Sequence, residues 1–531
     1  MRLTVVLFLF FTMVKADAFS FKEIEVMPTS YAKDYYTWRF LQEGNTSKEE
    51  ALLAYEWTKS KNATLRQAIQ KKIGYVPKNG TIQSPKDPNN YLIYPLTAGK
   101  KNRQELQKLY QKILKQGQYS DVLKVMSSAN PFQTLTTMSA QTQCYIFNNV
   151  GSTYRKAYFN QRFSISQLQQ LIKEPQFNAT IHKSITTHQL QEVKKSLVFE
   201  IQDNNLTFQS NFLLAMNAVE FNQIEIAMNF LKIAKNKTQS QNAYDQIHFW
   251  LYLLTNDKNY LTLLTQSTQI NLYTLRARDI LELPYPKVVT PRLGFNMVEN
   301  FDILNPIDWE KLKIKMEENP QNIDTLAENY NGYETMGVYA YLKEKASNYT
   351  KAYYPMPYRE AMWGFKKERV ALLYAIARQE SRFIPASVSP SYALGMMQIM
   401  PFLIKHLAKE RNQQLDLNEM FDPHIAISYA NQHLNYLNKW LSHPLFVAYA
   451  YNGGIGFTKR TITSSHLFKK GKYEPYLSME LIDYEESKEY AKKVLTNYVV
   501  YLNILGSPTK ISPFLKILEY PSQTDYFRTS E

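Results

Sequence analysis

The residue with the strongest case for chemistry is a glutamate near the end of a helical pattern. From Lys366 the spacing predicts a helix to about Ser381, with an apolar stripe through Val370, Leu373, Tyr374 and Ala377. Glu380 lies seven residues past Leu373 and three past Ala377, so it shares that inward face. A carboxylate on the buried side of a helix end is costly unless it is paired or protonated. Partial burial raises its pKa, which is what a general acid working near neutral pH requires. The plainer alternative is a charged residue opening into solvent where the chain leaves the helix toward Pro385. Neighbouring candidates have equally plain readings when taken singly. Met397 reads as core by its spacing. Tyr451-Asn452-Gly453-Gly454 reads as a helix-ending turn, since Asn and Gly tolerate positive φ. Glu486 sits in a charged run, Glu485 to Lys488, that suits a solvated face. Asp416, Glu419, Asp422, Glu474 and Glu480 are near enough in sequence to supply a second acid.

Other chemistries find no motif. The eight histidines, His182, His188, His248, His406, His424, His433, His443 and His466, show no metal-ligand spacing, and Cys144 is the one cysteine. Gly454-Ile455-Gly456 lacks the third glycine of a dinucleotide fingerprint, and no phosphate-binding Gly-x4-Gly-Lys-Ser/Thr occurs. No cofactor and no metal are expected.

Read jointly, the candidates resemble a known family. Ala377-Arg378-Gln379-Glu380-Ser381, then Ser389-Pro390, Gly395-Met396-Met397-Gln398-Ile399-Met400-Pro401, Ala450-Tyr451-Asn452-Gly453-Gly454 and Glu486-Ser487-Lys488-Glu489-Tyr490 follow one another in the order found in soluble lytic murein transglycosylases. The resemblance covers residues 355–505 well. It implies an all-α protein with an N-terminal helical superhelix, a small helical linker and a lysozyme-like catalytic domain. By motif, Glu380 corresponds to the single catalytic acid/base, and Ser381 to a hydrogen-bonding partner near that carboxylate and the sugar's N-acetyl group. Met397 and Gln398 correspond to residues lining the groove and holding the glycan. Tyr451 and Asn452 correspond to the pair orienting glutamate and substrate, and Glu486 and Tyr490 to the late carboxylate and tyrosine that close the site. Three positions depart from the pattern: Tyr392 where glycine is common, Ser487 for a frequent threonine, and Asp483 for a usual proline. The bulk of Tyr392 bears on the shape of the groove.

The activity implied needs only one carboxylate, unlike glycosidases that flank the bond with two. A protonated Glu380 would donate to the glycosidic oxygen between N-acetylmuramic acid and N-acetylglucosamine, and then accept the C6-hydroxyl proton as that oxygen closes on C1. The nearest rival is a hydrolytic muramidase of the goose-lysozyme type. A rival of another class is a non-enzymatic helical scaffold binding the cell envelope.

The elements that must position these residues are helical. Sixteen glycines in 531 residues are few, and a helical chain needs few tight turns. Three of them cluster at Gly453-Gly454-Ile455-Gly456. Ser47-Lys48-Glu49-Glu50 resembles a capping box. Leu106, Leu109, Tyr110 and Ile113 mark a helix face, and after Gln116-Gly117-Gln118 the apolar spacing resumes at Val122, Leu123 and Val125. A second set of hairpins runs through Phe212-Leu213-Leu214, Ile224–Met228 and Ile247–Leu254, broken at Asn256-Asp257-Lys258-Asn259. These resemble degenerate tetratricopeptide-like repeats, and with no legible consensus a generic all-α domain accounts for them equally well. Proline pairs at Pro284/Pro286 and Pro355/Pro357 mark junctions. The expected organisation is therefore a signal peptide over residues 1–18, a helical superhelix over 19–285, a linker over 286–350 and a catalytic domain over 351–531. The signal reading rests on Arg2, the short apolar run Leu3–Val14 and Ala16-Asp17-Ala18. It predicts a bacterial periplasmic protein with no integral membrane span after cleavage. The net charge of +15 has no block of like charge. By itself it suits nucleic acid, a membrane surface or an anionic polymer; the signal segment and the family motifs favour the last, peptidoglycan. A monomer is expected, with envelope proteins as partners of the helical part. Seven Asn-x-Ser/Thr sequons, at Asn45, Asn62, Asn79, Asn178, Asn205, Asn236 and Asn348, are what an Asn-, Lys- and Thr-rich chain produces by chance.

Overall fold

The computed structural model describes residues 19–77, 93–113, 117–199 and 205–528. The signal reading of residues 1–18, the sequon at Asn79 and the turn residue Gln116 lie outside the described residues. The chain is all-α, as its low glycine content predicts. Among the described residues no sheet forms, and strand-like pairing is limited to isolated bridges such as Leu394 with Ile399.

Local chemistry accounts for the helices that sequence reasoning located. Ser47 and Glu50 form the reciprocal capping box that starts Lys48–Glu56. Arg103–Lys112 buries Leu106 and forms a hairpin with Gln118–Met126, whose inner face is Val122, Leu123, Val125 and Met126. Phe208–Glu220, Ile224–Lys235, Gln241–Thr255, Asn259–Gln266 and Leu272–Ile280 pack in succession, each on the next, which is the arrangement of stacked hairpins. Asn256 ends its helix in the left-handed region, φ 58°, at the predicted break.

The chain divides into two compact units, each assembled from two segments. The first joins Met1–Thr81 to Val288–Asn435. In it, helices Pro306–Glu318, Ile323–Glu328 and Met336–Ala346 share a core of Trp309, Leu312, Met316, Ala327 and Leu342, into which Ile384 also inserts. The second unit joins Ile82–Lys287 to Tyr436–Glu531. Its centre is the helix Glu485–Ile504, buried along most of its length against Pro444–Gly453 and Leu272–Ile280.

Candidate active site

In the first unit the predicted helix spans Lys367–Glu380, with Val370, Leu373, Tyr374 and Ala377 buried. Glu380 is its last residue and is half-buried. Ser381 follows as the C-cap. Its hydroxyl donates to the Met396 carbonyl (2.8 Å) and accepts the Ile384 N–H (3.1 Å), so it ties the helix end to the loop that carries Met397 and Gln398.

That loop is held from within. The Gly395 N–H donates to the Ser387 carbonyl (2.9 Å), and Leu394 and Ile399 exchange backbone bonds of 3.0 Å. Gly395 has φ +76°, and a Cβ there would lie 2.0 Å from the Met420 carbonyl oxygen, so only glycine fits. Gln398 spends both amide hydrogens on the carbonyls of Ser387 (3.1 Å) and Gly395 (2.8 Å), which fixes its side chain against its own loop. Met397 is fully buried.

Tyr392 adopts φ +66°, a conformation that explains a preference for glycine at this position. The side chain is buried in an aromatic box, stacked on Trp38 (centroids 5.6 Å) and edge-on to Tyr35 (6.1 Å). Its bulk is thus absorbed by the packing of helix Tyr31–Phe40. Two polar ties join the same helix to this region. Arg39 pairs with Asp416 at 2.6 Å, and the Tyr35 hydroxyl donates to Asn418 at 2.9 Å.

In the second unit, helix Pro444–Gly453 carries Tyr451 and Asn452, both half-buried, in its last turn. It is capped by buried His443, whose Nδ1 accepts the Leu445 N–H (3.1 Å) while Nε2 donates to the Phe514 carbonyl (2.9 Å). Asn452 Nδ2 donates to Glu486 Oε1 (3.3 Å), and the Ser487 hydroxyl donates to Asn452 Oδ1 (2.5 Å). The Tyr484 hydroxyl donates to the other Glu486 oxygen (3.1 Å). Glu486 is exposed, while Tyr490, one turn along the same helix face, is buried. A Cβ on Gly453 would lie 2.6 Å from the Ser487 hydroxyl oxygen, so the end of the helix approaches Ser487 as closely as glycine allows.

The first unit therefore gathers Ser381, Met397 and Gln398 at the end of the Glu380 helix, and the second gathers Asn452 and Glu486, with Tyr451 and Tyr490 on the same two helices. Sequence reasoning treated Ser487 only as a substitute for threonine and did not single out Tyr484. Both act through contacts to residues more than thirty positions away or across a helix start, which spacing does not reveal. The run Glu485 to Lys488 is also less solvated than its composition implies: Ser487 and Lys488 are buried, and Lys488 pairs with Glu485 at 2.6 Å.

Four of the five rival acids are engaged in holding structure. Burial alone would raise the Asp416 carboxyl, but Arg39 and the Asn418 N–H hold it below its ordinary value. Glu419 completes a capping box with Asp416, and Asp422 accepts the N–H groups of His424 and Ile425 at a helix start. Glu480, fully buried, accepts hydrogen bonds from Tyr273, Gln246 (2.8 Å) and Lys492 (3.2 Å). Glu474 differs, since burial pushes its carboxyl up to about 7.

Among the described residues no group of three or more His, Cys, Asp or Glu side chains is arranged to hold a metal ion, and no helix is long and apolar enough to cross a membrane.

Residues 358–473 match the family profile described as the transglycosylase SLT domain. Over 224 residues the chain is 27% identical to the soluble lytic murein transglycosylase of Escherichia coli (strain K12), an alignment covering 41% of this chain and 34% of that protein. The chain thus aligns with about a third of that relative's length. Among solved structures it is similar to the lytic transglycosylase Slt of Pseudomonas aeruginosa, with TM-score 0.48 and 16% identity over 92% of this chain and 78% of that one. It is also similar to the 70-kDa soluble lytic transglycosylase of Escherichia coli, with TM-score 0.47 and 16% identity over 94% of this chain and 84% of that one.

Proposed function

We propose, on the premise that residues 358–473 carry a transglycosylase SLT domain, that this protein is a lytic murein transglycosylase. It cleaves the β-1,4 bond between N-acetylmuramic acid and N-acetylglucosamine in peptidoglycan without consuming water. The reading is carried by Glu380, which ends its helix half-buried and is followed at once by Ser381, whose hydroxyl binds the Gly395–Gln398 loop.

A general acid must hold its proton before the bond breaks. Glu380 gives its proton to the glycosidic oxygen as the bond from C1 to that oxygen breaks, and the N-acetylglucosamine leaves with a free 4-hydroxyl. The muramic acetamide oxygen supports the cation at C1. The carboxylate of Glu380 then takes the proton of the C6 hydroxyl while O6 bonds to C1. Glu380 returns to its protonated form, and the product carries a 1,6-anhydromuramyl end. Tyr451, Asn452, Glu486 and Tyr490 are assigned to binding and orientation, together with Ser381 and Gln398, while Met397, fully buried, supports the loop that carries Gln398 and does not touch the glycan. Residues 1–18 direct the protein to the periplasm, where its positive charge suits an anionic polymer.

A water-consuming muramidase needs a second, ionised carboxylate. The structural duties of Asp416, Glu419, Asp422 and Glu480 speak against each as that base, and Glu474 is taken up in accepting the Ser478 N–H (3.3 Å). Glu380→Gln is the test. Loss of glycan turnover with retained binding to sacculi supports the reading, and unchanged turnover refutes it. Product mass spectrometry separates the mechanisms, because anhydro ends are lighter than reducing ends by one water, about 18 Da.

A further inference from the structure

Arg378 and Arg382 stand two residues before and two residues after Glu380, and both guanidiniums converge on one carboxylate, Glu344. Glu344 lies on the neighbouring helix Met336–Ala346. Arg378 donates to its Oε1 at 2.5 Å and Arg382 to its Oε2, while the Tyr353 N–H also donates to Oε1 at 2.8 Å. The Glu344 side chain is 6% exposed and that of Arg378 12%. The same helix meets the turn after Glu380 directly: a Cβ on Gly337 would lie 2.3 Å from the Phe383 carbonyl oxygen. Arg382 and Phe383 both have positive φ, 55° and 66°, a conformation that residues other than glycine hold only where the surroundings over-determine it.

Stability is a weak reason for such a triad, because apolar side chains of the same volume commonly serve as well. Geometry is a better one. The chain leaves Glu380 through a strained turn, and the clamp fixes both ends of the five-residue stretch in which the glutamate is central. We infer that Glu344 is a positioning residue for the Glu380 carboxyl, holding it through Arg378 and Arg382. This rests on Glu380 being the acid/base. In reactions that depend on placement, an error of about 1 Å costs on the order of a hundredfold in rate.

The test compares wild type, Glu380→Gln, Glu344→Gln, Glu344→Asp and Arg382→Ala on purified sacculi, with kcat and KM measured separately. Glu344→Gln is expected to lower kcat about ten- to a hundredfold and leave KM within about threefold. Glu344→Asp, which still reaches one guanidinium, recovers part of that loss. Leu342→Ala destabilises the same helix without touching the triad, and below its melting temperature it keeps the wild-type kcat. Should Glu344→Gln fail to fold, Arg382→Ala carries the test, because its side chain is 37% exposed; a kcat decrease of threefold or more is then expected. Wild-type kcat in Glu344→Gln or in Arg382→Ala, or an equal loss in Leu342→Ala, overturns the inference. Wild-type turnover in Glu380→Gln overturns the acid/base reading beneath it, and the two failures are thereby told apart.

Discussion

His443 makes a quantitative case for how acid should affect this protein. The imidazole is fully buried and neutral, and burial pushes its pKa from 6.5 down to about 3, the Phe514 carbonyl acting weakly the other way. Between those values the unfolded chain binds a proton that the folded one does not. Stability is therefore whole above about pH 6.5 and falls as pH drops toward 3. At about 1.4 kcal/mol per unit, the full window is worth roughly 4–5 kcal/mol, and the step from pH 7 to pH 5 about 2 kcal/mol. His443→Asn keeps an oxygen to cap Leu445 but carries no titrating group. It loses the bond to Phe514, about 1 kcal/mol at every pH. Urea unfolding of both proteins at pH 7 and pH 5, followed by circular dichroism, isolates the effect. His248 and His433, each pushed down to about 4 by burial, contribute equally to both proteins and cancel in the comparison. The wild type should lose about 2 kcal/mol more than the variant over that step. Equal losses would refute the assignment of a neutral capping imidazole.

Two further changes test the loop beside Glu380. Gly395→Ala forces a methyl group to within 2.0 Å of a backbone oxygen at positive φ, so it should lower stability by several kcal/mol and abolish glycan turnover, read by melting temperature and product release. Tyr392→Gly relieves the positive φ but empties the aromatic box, and the cavity should win, with a net loss of about 2–4 kcal/mol and a lower melting temperature.

Much of this architecture was legible because it is local. The capping box at Ser47, the left-handed Asn256 and the Lys367–Glu380 helix follow from residues within one or two turns of each other. The same periodicity accounts for the half-burial of Glu380 at the end of that helix. What was not legible depends on pairing across the chain. Arg39 meets Asp416 across 377 positions, and Arg378 meets Glu344 across 34, with nothing in either neighbourhood to announce the partner. Tyr392 shows the difference most clearly. Its sequence context marks it as an intrusion near the groove, whereas its ring fills a box built by Tyr35 and Trp38, more than 350 residues earlier. Gln398 and Ser381 illustrate a second blind spot: both were candidate ligand holders, and both spend hydrogen bonds on the backbone of their own loop.

Each compact unit is assembled from two stretches of chain, and this has a consequence for the order of synthesis. As the polypeptide emerges, helix Tyr31–Phe40 is made long before Asp416 and Tyr392 exist, and Leu272–Ile280 before Lys492. Neither unit can close until its second stretch has been translated, so pairings of high sequence separation dominate the late steps and folding should be slow. The same arrangement governs dissection. A fragment cut at residues 358 and 473 would take the Gly395 loop without Trp38 and Arg39, and helix Pro444–Gly453 without the Glu485–Ile504 helix it packs on. Cutting there divides two interiors at once, so a minimal catalytic fragment has to follow the packing and keep the residues from both ends of the chain.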